Sequence, residues 1–230
     1  MGHMATKPER ATRRTDALST ERIIAAAIEI LDTEGEGALT FRALAARLST
    51  GAGAIYWHVA NKDELLSAAT TAVITAATNA VPNPDHPREE IRSLALGLFD
   101  AIEAHPWIGS QLARETWRQT NTRIFESVGS RLSALGVPQE SQFDAASTLT
   151  NYIVGAASQA AAHARTVPPG MNRTTFLTST AERWSRLDPA EYPFVHHVMA
   201  QLPHHDDRKQ FLAGIDFIVD GVLSATDKPG

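Results

Sequence analysis

Hydrophobic side chains recur every three or four positions along almost the whole chain, and polar side chains fill the positions between them. This spacing is typical of α helices that bury one face. No segment keeps up a two-residue alternation, so we predict no strands. The sequence therefore predicts an all-α protein, in which the proline-rich segment 81–87 separates a small N-terminal domain from a larger C-terminal helical bundle.

The same pattern sets the predicted helix boundaries. Ser19 or Thr20 caps the first helix and Asn61 caps the fourth, because their side-chain oxygens can accept hydrogen bonds from free backbone N–H groups. A second break, at 166–170, follows the longest helix. The predicted helices span 20–34, 41–48, 51–56, 62–80, 88–104, 107–118, 121–135, 139–165, 174–186, 192–202 and 206–225.

The second and third predicted helices are short and are joined by a tight turn. Two such helices are typical of a helix-turn-helix, which places one helix in the major groove of DNA. Tyr56, Trp57 and His58 follow, and then the pair Asn61 and Lys62. This order of residues resembles the DNA-binding domain of TetR-family transcription regulators. The resemblance implies a three-helix helix-turn-helix domain at 19–66 and a ligand-binding and dimerisation domain at 67–230.

Several residues of this domain are candidate DNA contacts. The resemblance implies phosphate contacts from Tyr56, His58 and Lys62, which lie where the third helix ends and the fourth begins. Thr40 is both a predicted N-cap and a candidate phosphate contact. Arg42, in the first turn of its helix, can reach a phosphate or a base edge.

The third helix offers almost no side-chain hydrogen-bond donors. Its glycines would let the backbone approach the groove floor, and its alanines could touch thymine methyl groups. The two glycines cost about 1 kcal/mol each relative to alanine. We therefore expect Arg42, Thr50, an arginine of the N-terminal arm in the minor groove and DNA shape to carry much of the sequence specificity. The predicted contacts in this helix are Gly51, Ala52, Gly53 and Ala54.

The aromatic pair Tyr56 and Trp57, at the end of the third helix, also has a structural interpretation. We expect Trp57 to pack with Leu44, Leu48 and Ile55 in the small core, while its position also makes it a candidate DNA contact. The alternative is a helical hairpin in which the Tyr-Trp corner is plain core and the domain does not bind DNA.

The distribution of charge along the chain says more about DNA binding than the net charge does. The total of −5 argues against a nucleic-acid partner, but residues 1–14 carry four basic side chains and one acidic one, so 4 − 1 = +3. This basic arm, 1–18 with a cloning remnant at its start, lies directly before the helix-turn-helix. Arg13 and Arg14 are its candidates for contacts in the minor groove. The alternative is a solvated tail.

The region after the proline-rich segment is rich in large apolar side chains. A helical bundle can enclose an apolar ligand pocket lined by such residues, or it can pack them as ordinary core. The candidate ligand contacts are Phe99, Ile102, His105, Trp107, Leu112, Trp117 and Phe125, with Asn151, Tyr152 and Gln159 as orienting polar groups. We do not expect tetracycline, because the metal and polar ligands used by the family's founding members are not matched.

The last helix is apolar on almost every side, which requires burial on two sides. A two-fold partner would supply the second, and the resemblance implies that this helix and the long one form a four-helix bundle with their copies. The candidate dimer contacts are Gly155, Ala156, Phe211, Ile215, Phe217, Ile218 and Val222. The polar stripe of the long helix could instead line the ligand pocket.

Other classes of site find less support. The chain has no cysteine, which excludes disulfides and thiol chemistry. Adjacent histidines such as His196 and His197 point about 100° apart on a helix, so we expect no metal and no cofactor. The uncharged stretches 67–84 and 145–164 are Ala-rich and contain polar residues, which favours buried helices over membrane spans.

We therefore predict a ligand-responsive transcriptional regulator, a repressor, that binds a palindromic operator as a homodimer in the cytoplasm. Its partners would be double-stranded operator DNA and a small, largely apolar or aromatic effector. The alternatives are a helical enzyme that binds a small molecule and a dimerisation module without an operator. The enzyme alternative lacks a defensible nucleophile–base or paired-carboxylate pattern.

Overall fold

A computed structural model describes residues 18–79, 85–114, 119–168 and 170–226. Within these ranges every regular element is helical, which confirms the predicted all-α fold. The predicted arm contacts Arg13 and Arg14 and the predicted ligand contact Trp117 lie outside the described residues.

The helices follow the predicted order. They are α1 (Thr20–Thr33), α2 (Phe41–Arg47), α3 (Ala52–Tyr56), α4 (Lys62–Thr78), α5 (Pro87–Ala104), α6 (Trp107–Arg114), α7 (Gln119–Ala134), α8 (Gln139–Ala164), α9 (Arg173–Trp184), α10 (Pro193–Val198) and α11 (Asp207–Thr226), with a 3₁₀ helix (Met199–His204) between α10 and α11. The chain divides into two compact units between Ala72 and Val73, inside α4.

The N-terminal unit is organised by side-chain caps. Ser19 and Thr40 accept hydrogen bonds from the backbone N–H groups of Arg22 and Ala43, and Asn61 accepts one from Glu64 at 2.8 Å. These bonds satisfy donors that have no partner inside the helix, so each cap sets where its helix begins. The buried residues of this unit include Ile23, Ile30, Leu39, Leu44, Ile55, Val59 and Leu65.

The predicted burial of Trp57 is wrong. Its side chain is 91% exposed, whereas Leu44 and Ile55 are fully buried and Leu48 is half-buried. Helix α3 ends at Tyr56, and the backbone N–H of Val59 still donates to the carbonyl of Ile55 at 3.1 Å. One turn after Ile55, Val59 therefore fills the core position that we assigned to Trp57.

In the C-terminal unit, α8 packs against α5, α6, α7 and α11. Its buried face carries small and branched side chains, including Ala146, Leu149, Ile153 and Ala157. None of the helices in the described ranges is both long enough and apolar enough to span a membrane.

Three ion pairs join α5 to α11. Arg88 pairs with Asp220, Arg92 with Asp216, and Arg208 with Asp100. From one pair to the next, the residue number rises along α5 by the same amount as it falls along α11. The two helices are therefore antiparallel and the three pairs share one register. Exposed pairs of this kind contribute about 0–1 kcal/mol each, so their main effect is to select the register.

Tyr152 joins α8 to α11 through a close contact with a glycine. Its hydroxyl donates a hydrogen bond to the carbonyl of Phe211 at 3.1 Å, and its ring stacks on the Phe211 ring at 5.7 Å. A Cβ atom on Gly214 would lie 1.9 Å from the Tyr152 hydroxyl oxygen. The tyrosine ring can therefore occupy this position only because residue 214 is glycine.

We expect Gly214→Ala to lower the free energy of unfolding by about 1–3 kcal/mol, because the added methyl group must displace the tyrosine ring. Gly129→Ala on α7 is the control, since a Cβ there would make only an ordinary contact with Ala146 at 3.9 Å. That control should be neutral or stabilising. Urea denaturation at one protein concentration measures both variants, and equal effects would contradict the assigned role of Gly214.

Candidate DNA-binding surface and ligand cavity

The turn between α2 and α3 is built on a left-handed residue. Ser49 has φ of 51°, and in the described part of the chain it is the one non-glycine residue with positive φ. The N–H of Ser49 donates to the carbonyl of Ala46 at 3.3 Å, and the N–H of Thr50 donates to that of Ala45 at 2.9 Å. This pair of bonds is a Schellman motif, which ends α2 and redirects the chain into α3.

Two stacked rings hold α3 against α2. The rings of Phe41 and Tyr56 lie parallel, 5° apart in plane and 4.2 Å between centroids. Ile55, the residue before Tyr56, is fully buried. Helix α3 is thus attached at its C-terminal end, while its glycine-containing first turn lies at the surface.

Most of the predicted DNA contacts are accessible within the chain. A Cβ on Gly51 or Gly53 would meet nothing within 4 Å, so packing in this chain does not require a glycine at either position. Exposed residues are Thr40, Arg42, Gly51, Gly53, Tyr56, Trp57 and His58, and half-buried ones are Thr50, Ala52, Ala54 and Lys62.

Two predicted phosphate contacts also hold the domain together. A ring nitrogen of His58 lies 3.2 Å from the hydroxyl oxygen of Thr20 at the start of α1. The ammonium group of Lys62 donates to the backbone carbonyl of Glu36 at 2.6 Å. Sequence reasoning missed Thr20 and Glu36 as partners, because such contacts between distant residues leave no local pattern.

Charge within this unit does not favour DNA by itself. Residues 18–72 contain four Arg or Lys and seven Asp or Glu, so 4 − 7 = −3. Arg47 is bound by Glu29 at 3.0 Å and lies 3.7 Å from Glu34. Arg42 and Lys62 are therefore the basic residues of this unit at the predicted contact positions, which increases the importance of the basic arm.

The predicted ligand contacts are spread through the C-terminal unit. Ile102, Trp107 and Leu112 are buried. His105 lies against Trp107, 6.2 Å between ring centroids, and Phe125 lies 5.7 Å from Phe143. Phe99 is also buried, against Phe211, whereas Asn151 is exposed.

One cavity brings together three of the predicted ligand contacts. It has a volume of about 580 Å³ and lies among α8, α9, the 3₁₀ helix and the start of α11, with Phe99, Tyr152 and Gln159 in its lining. Burial raises the pKa of Tyr152, which keeps its hydroxyl protonated as a hydrogen-bond donor.

No metal site is evident in the ranges that the structure describes, where no three His, Asp or Glu side chains come together around one point. His205 instead lies 2.9 Å from a carboxylate oxygen of Asp207.

Comparison with known proteins matches both halves of the chain. Residues 23–69 match the family described as bacterial regulatory proteins, tetR family. Residues 81–226, more than half of the chain, match the tetracyclin repressor-like C-terminal domain. The chain belongs to the TetR family. The predicted membership is confirmed, and this TetR-family protein is a DNA-binding transcriptional regulator.

Individual relatives agree with this family. An HTH-type transcriptional regulator of Saccharopolyspora erythraea is 30% identical over 66% of this chain and 65% of its own length, just under two thirds of that protein. The HTH-type transcriptional repressor DrrR1 of Streptomyces coeruleorubidus is 27% identical over 94% of this chain and 80% of its own length. The solved structure of SCO7222, a TetR from Streptomyces coelicolor, is 49% identical, covers 91% of this chain and 100% of its own, and has a TM-score of 0.83.

The predicted dimer contacts of this TetR-family chain fall into three groups. Phe211 and Ile215 are at most 2% exposed, so their side chains pack within one chain. Phe217 is 75% exposed on α11, and Gly155 is exposed on α8. Ala156, Ile218 and Val222 are half-buried. Phe217 and Gly155 are therefore the most open of the predicted dimer contacts.

We expect Ser49→Gly to raise the free energy of unfolding by about 0.5–1 kcal/mol, because glycine adopts positive φ without a Cβ clash. Ser49→Ala keeps the Cβ and should bring no such gain. Thermal melting of the two variants beside the unmodified protein measures the difference. Equal stability of the glycine and alanine variants would show that the turn is not strained.

Proposed function

We propose that this TetR-family protein is a repressor that binds a palindromic operator as a homodimer and is released by a small aromatic effector. The observation that carries the proposal is the exposed first turn of α3, where Gly51 and Gly53 present bare backbone beside exposed Tyr56 and Trp57. A helix without bulky side chains can lie deep in a major groove.

Sequence specificity would come from several weak sources. The alanines of α3 would touch thymine methyl groups, and Arg42 would reach a base edge or a phosphate. Arg13 and Arg14 would enter the minor groove beside the major-groove contacts. The name of the relative DrrR1 supports repression as the regulatory outcome.

A homodimer would align two such surfaces. Recognition helices of a two-fold dimer bind half-sites about 34–36 Å apart, one turn of DNA. The exposed ring of Phe217 and the open surface at Gly155 are the features that a second copy would cover. Burial of one large aromatic ring contributes about 1.5–3 kcal/mol.

Effector release would act through α4. This helix has 17 residues and contains the division between the two units, and at 1.5 Å per residue it extends roughly 25 Å. An effector that prefers a dimer geometry with more widely spaced recognition helices would weaken operator binding. Linkage then requires operator DNA to weaken the effector by the same factor.

The deciding experiment is a salt titration of the dimer on the palindrome that flanks its own gene. Specific binding should exceed binding to scrambled DNA by about 10³-fold or more, and the logarithm of the affinity should fall linearly with the logarithm of salt concentration. An enzyme or a pure dimerisation module would show no preference for the palindrome.

We expect Gly53→Ala to weaken operator binding tenfold or more without loss of stability, because the added methyl group holds the backbone away from the groove. Gly129→Ala on α7 is the control, since its new Cβ would make only an ordinary contact with Ala146 at 3.9 Å. Fluorescence anisotropy with operator DNA measures both variants. Unchanged affinity in Gly53→Ala would exclude close backbone approach at this position.

We expect Phe217→Asp to shift the protein from dimer to monomer, because an uncompensated charge would enter the interface. Phe194→Asp is the matched control, since Phe194 is 73% exposed on α10 and is not among the predicted dimer contacts. Light scattering after size exclusion at micromolar concentration separates the two forms. A dimeric Phe217→Asp variant would place the interface elsewhere.

A further inference from the structure

The cavity among α8, α9 and α11 has walls suited to a flat ring system. Its lining includes Phe176, Trp184 and Leu202 together with the α8 residues Tyr152 and Ala156. Its volume of about 580 Å³ falls within the roughly 300–1,000 Å³ of drug-sized ligand sites.

The one carboxylate in this lining is already engaged. Asp207 lies 2.6 Å from the guanidinium group of Arg173, and its other oxygen lies 2.9 Å from a ring nitrogen of His205. Arg173 and Asp207 therefore neutralise each other inside the cavity.

Arg183, an exposed residue near the end of α9, is the second cation of the lining, and its hydrogen bonds go to neutral groups. Its guanidinium nitrogens donate to the hydroxyl oxygens of Ser179 at 3.4 Å and Thr180 at 2.6 Å. No carboxylate lies within ion-pairing distance of it in the part of the chain that the structure describes. Among Arg, Lys, Asp and Glu, the lining holds two arginines and one aspartate, so 2 − 1 = +1.

The neighbouring cavity is different. Its volume is about 780 Å³, and its three basic and three acidic side chains balance, so 3 − 3 = 0. There Arg208 is bound by Asp100 and Lys209 lies 3.7 Å from Asp206. The uncompensated positive charge therefore belongs to the smaller, more aromatic cavity.

We infer that the smaller cavity binds a flat aromatic ligand carrying a carboxylate, with Arg183 as the group that recognises the charge. A guanidinium group can bind both carboxylate oxygens in one plane, and Ser179 and Thr180 hold it in orientation from the same helix. Phe176 and Trp184 supply aromatic side chains for the apolar part of the ligand. The inference rests on the proposed function only in taking this ligand to be the effector.

Calorimetric titration of the full chain without DNA tests the inference directly. The probes are naphthalene-2-carboxylate and naphthalene-2-carboxamide, which differ in charge but hardly in size. The carboxylate should bind at least tenfold more tightly. In Arg183→Gln, the carboxylate should bind no more tightly than the carboxamide. Arg183→Lys should retain part of the preference for the carboxylate. Arg186→Gln changes an exposed arginine two residues after the end of α9 and outside the cavity lining, and it should behave like the unmodified protein.

Equal affinity for the two probes, no binding of either, or a carboxylate preference that survives in Arg183→Gln would each overturn the assignment. Thermal melting of each variant confirms that it is folded. Because the titration contains no DNA, its result is independent of operator binding. A chain that shows the Arg183-dependent preference but ignores its palindrome would refute the repressor function and leave the ligand site standing.

Discussion

The stacked rings of Phe41 and Tyr56 are the contact on which the DNA-binding surface depends. Helices α2 and α3 have seven and five residues, far fewer than the roughly 12–15 that an isolated helix needs to be stable in water. Their geometry must therefore come from tertiary contacts. The ring stack, the buried Ile55 and the left-handed turn at Ser49 together supply those contacts.

The helix boundaries were predictable because their signals are local. Ser19, Thr40 and Asn61 cap α1, α2 and α4 in the structure as they do in the predicted pattern. Such local signals do not predict features that depend on tertiary packing. The burial of Trp57 was predicted wrongly because hydrophobicity says nothing about the residue at which α3 stops. Residues 199–202 were predicted as the last turn of an α helix, but they belong to the 3₁₀ helix Met199–His204.

The cavity was harder to predict than the fold. Phe99 and Arg183 both line it, yet they are far apart in the sequence, and no spacing rule connects them. The charge of its lining is equally hidden, because the sequence alone does not show which of Arg173 and Arg183 has a carboxylate partner. Only the position of Asp207 shows that one of them is neutralised and the other is not.

The ion pairs between α5 and α11 restrict how the C-terminal unit can move. If α11 slid by one helical turn along α5, Arg88 would meet Asp216, while Arg92 would face Leu212 and Arg208 would face Leu96. One attraction would survive and two would be lost. Sliding of one helix past another by a full turn, which some allosteric proteins use, is thus disfavoured here. Helices α5 and α11 should therefore move together as one rigid body during any rearrangement.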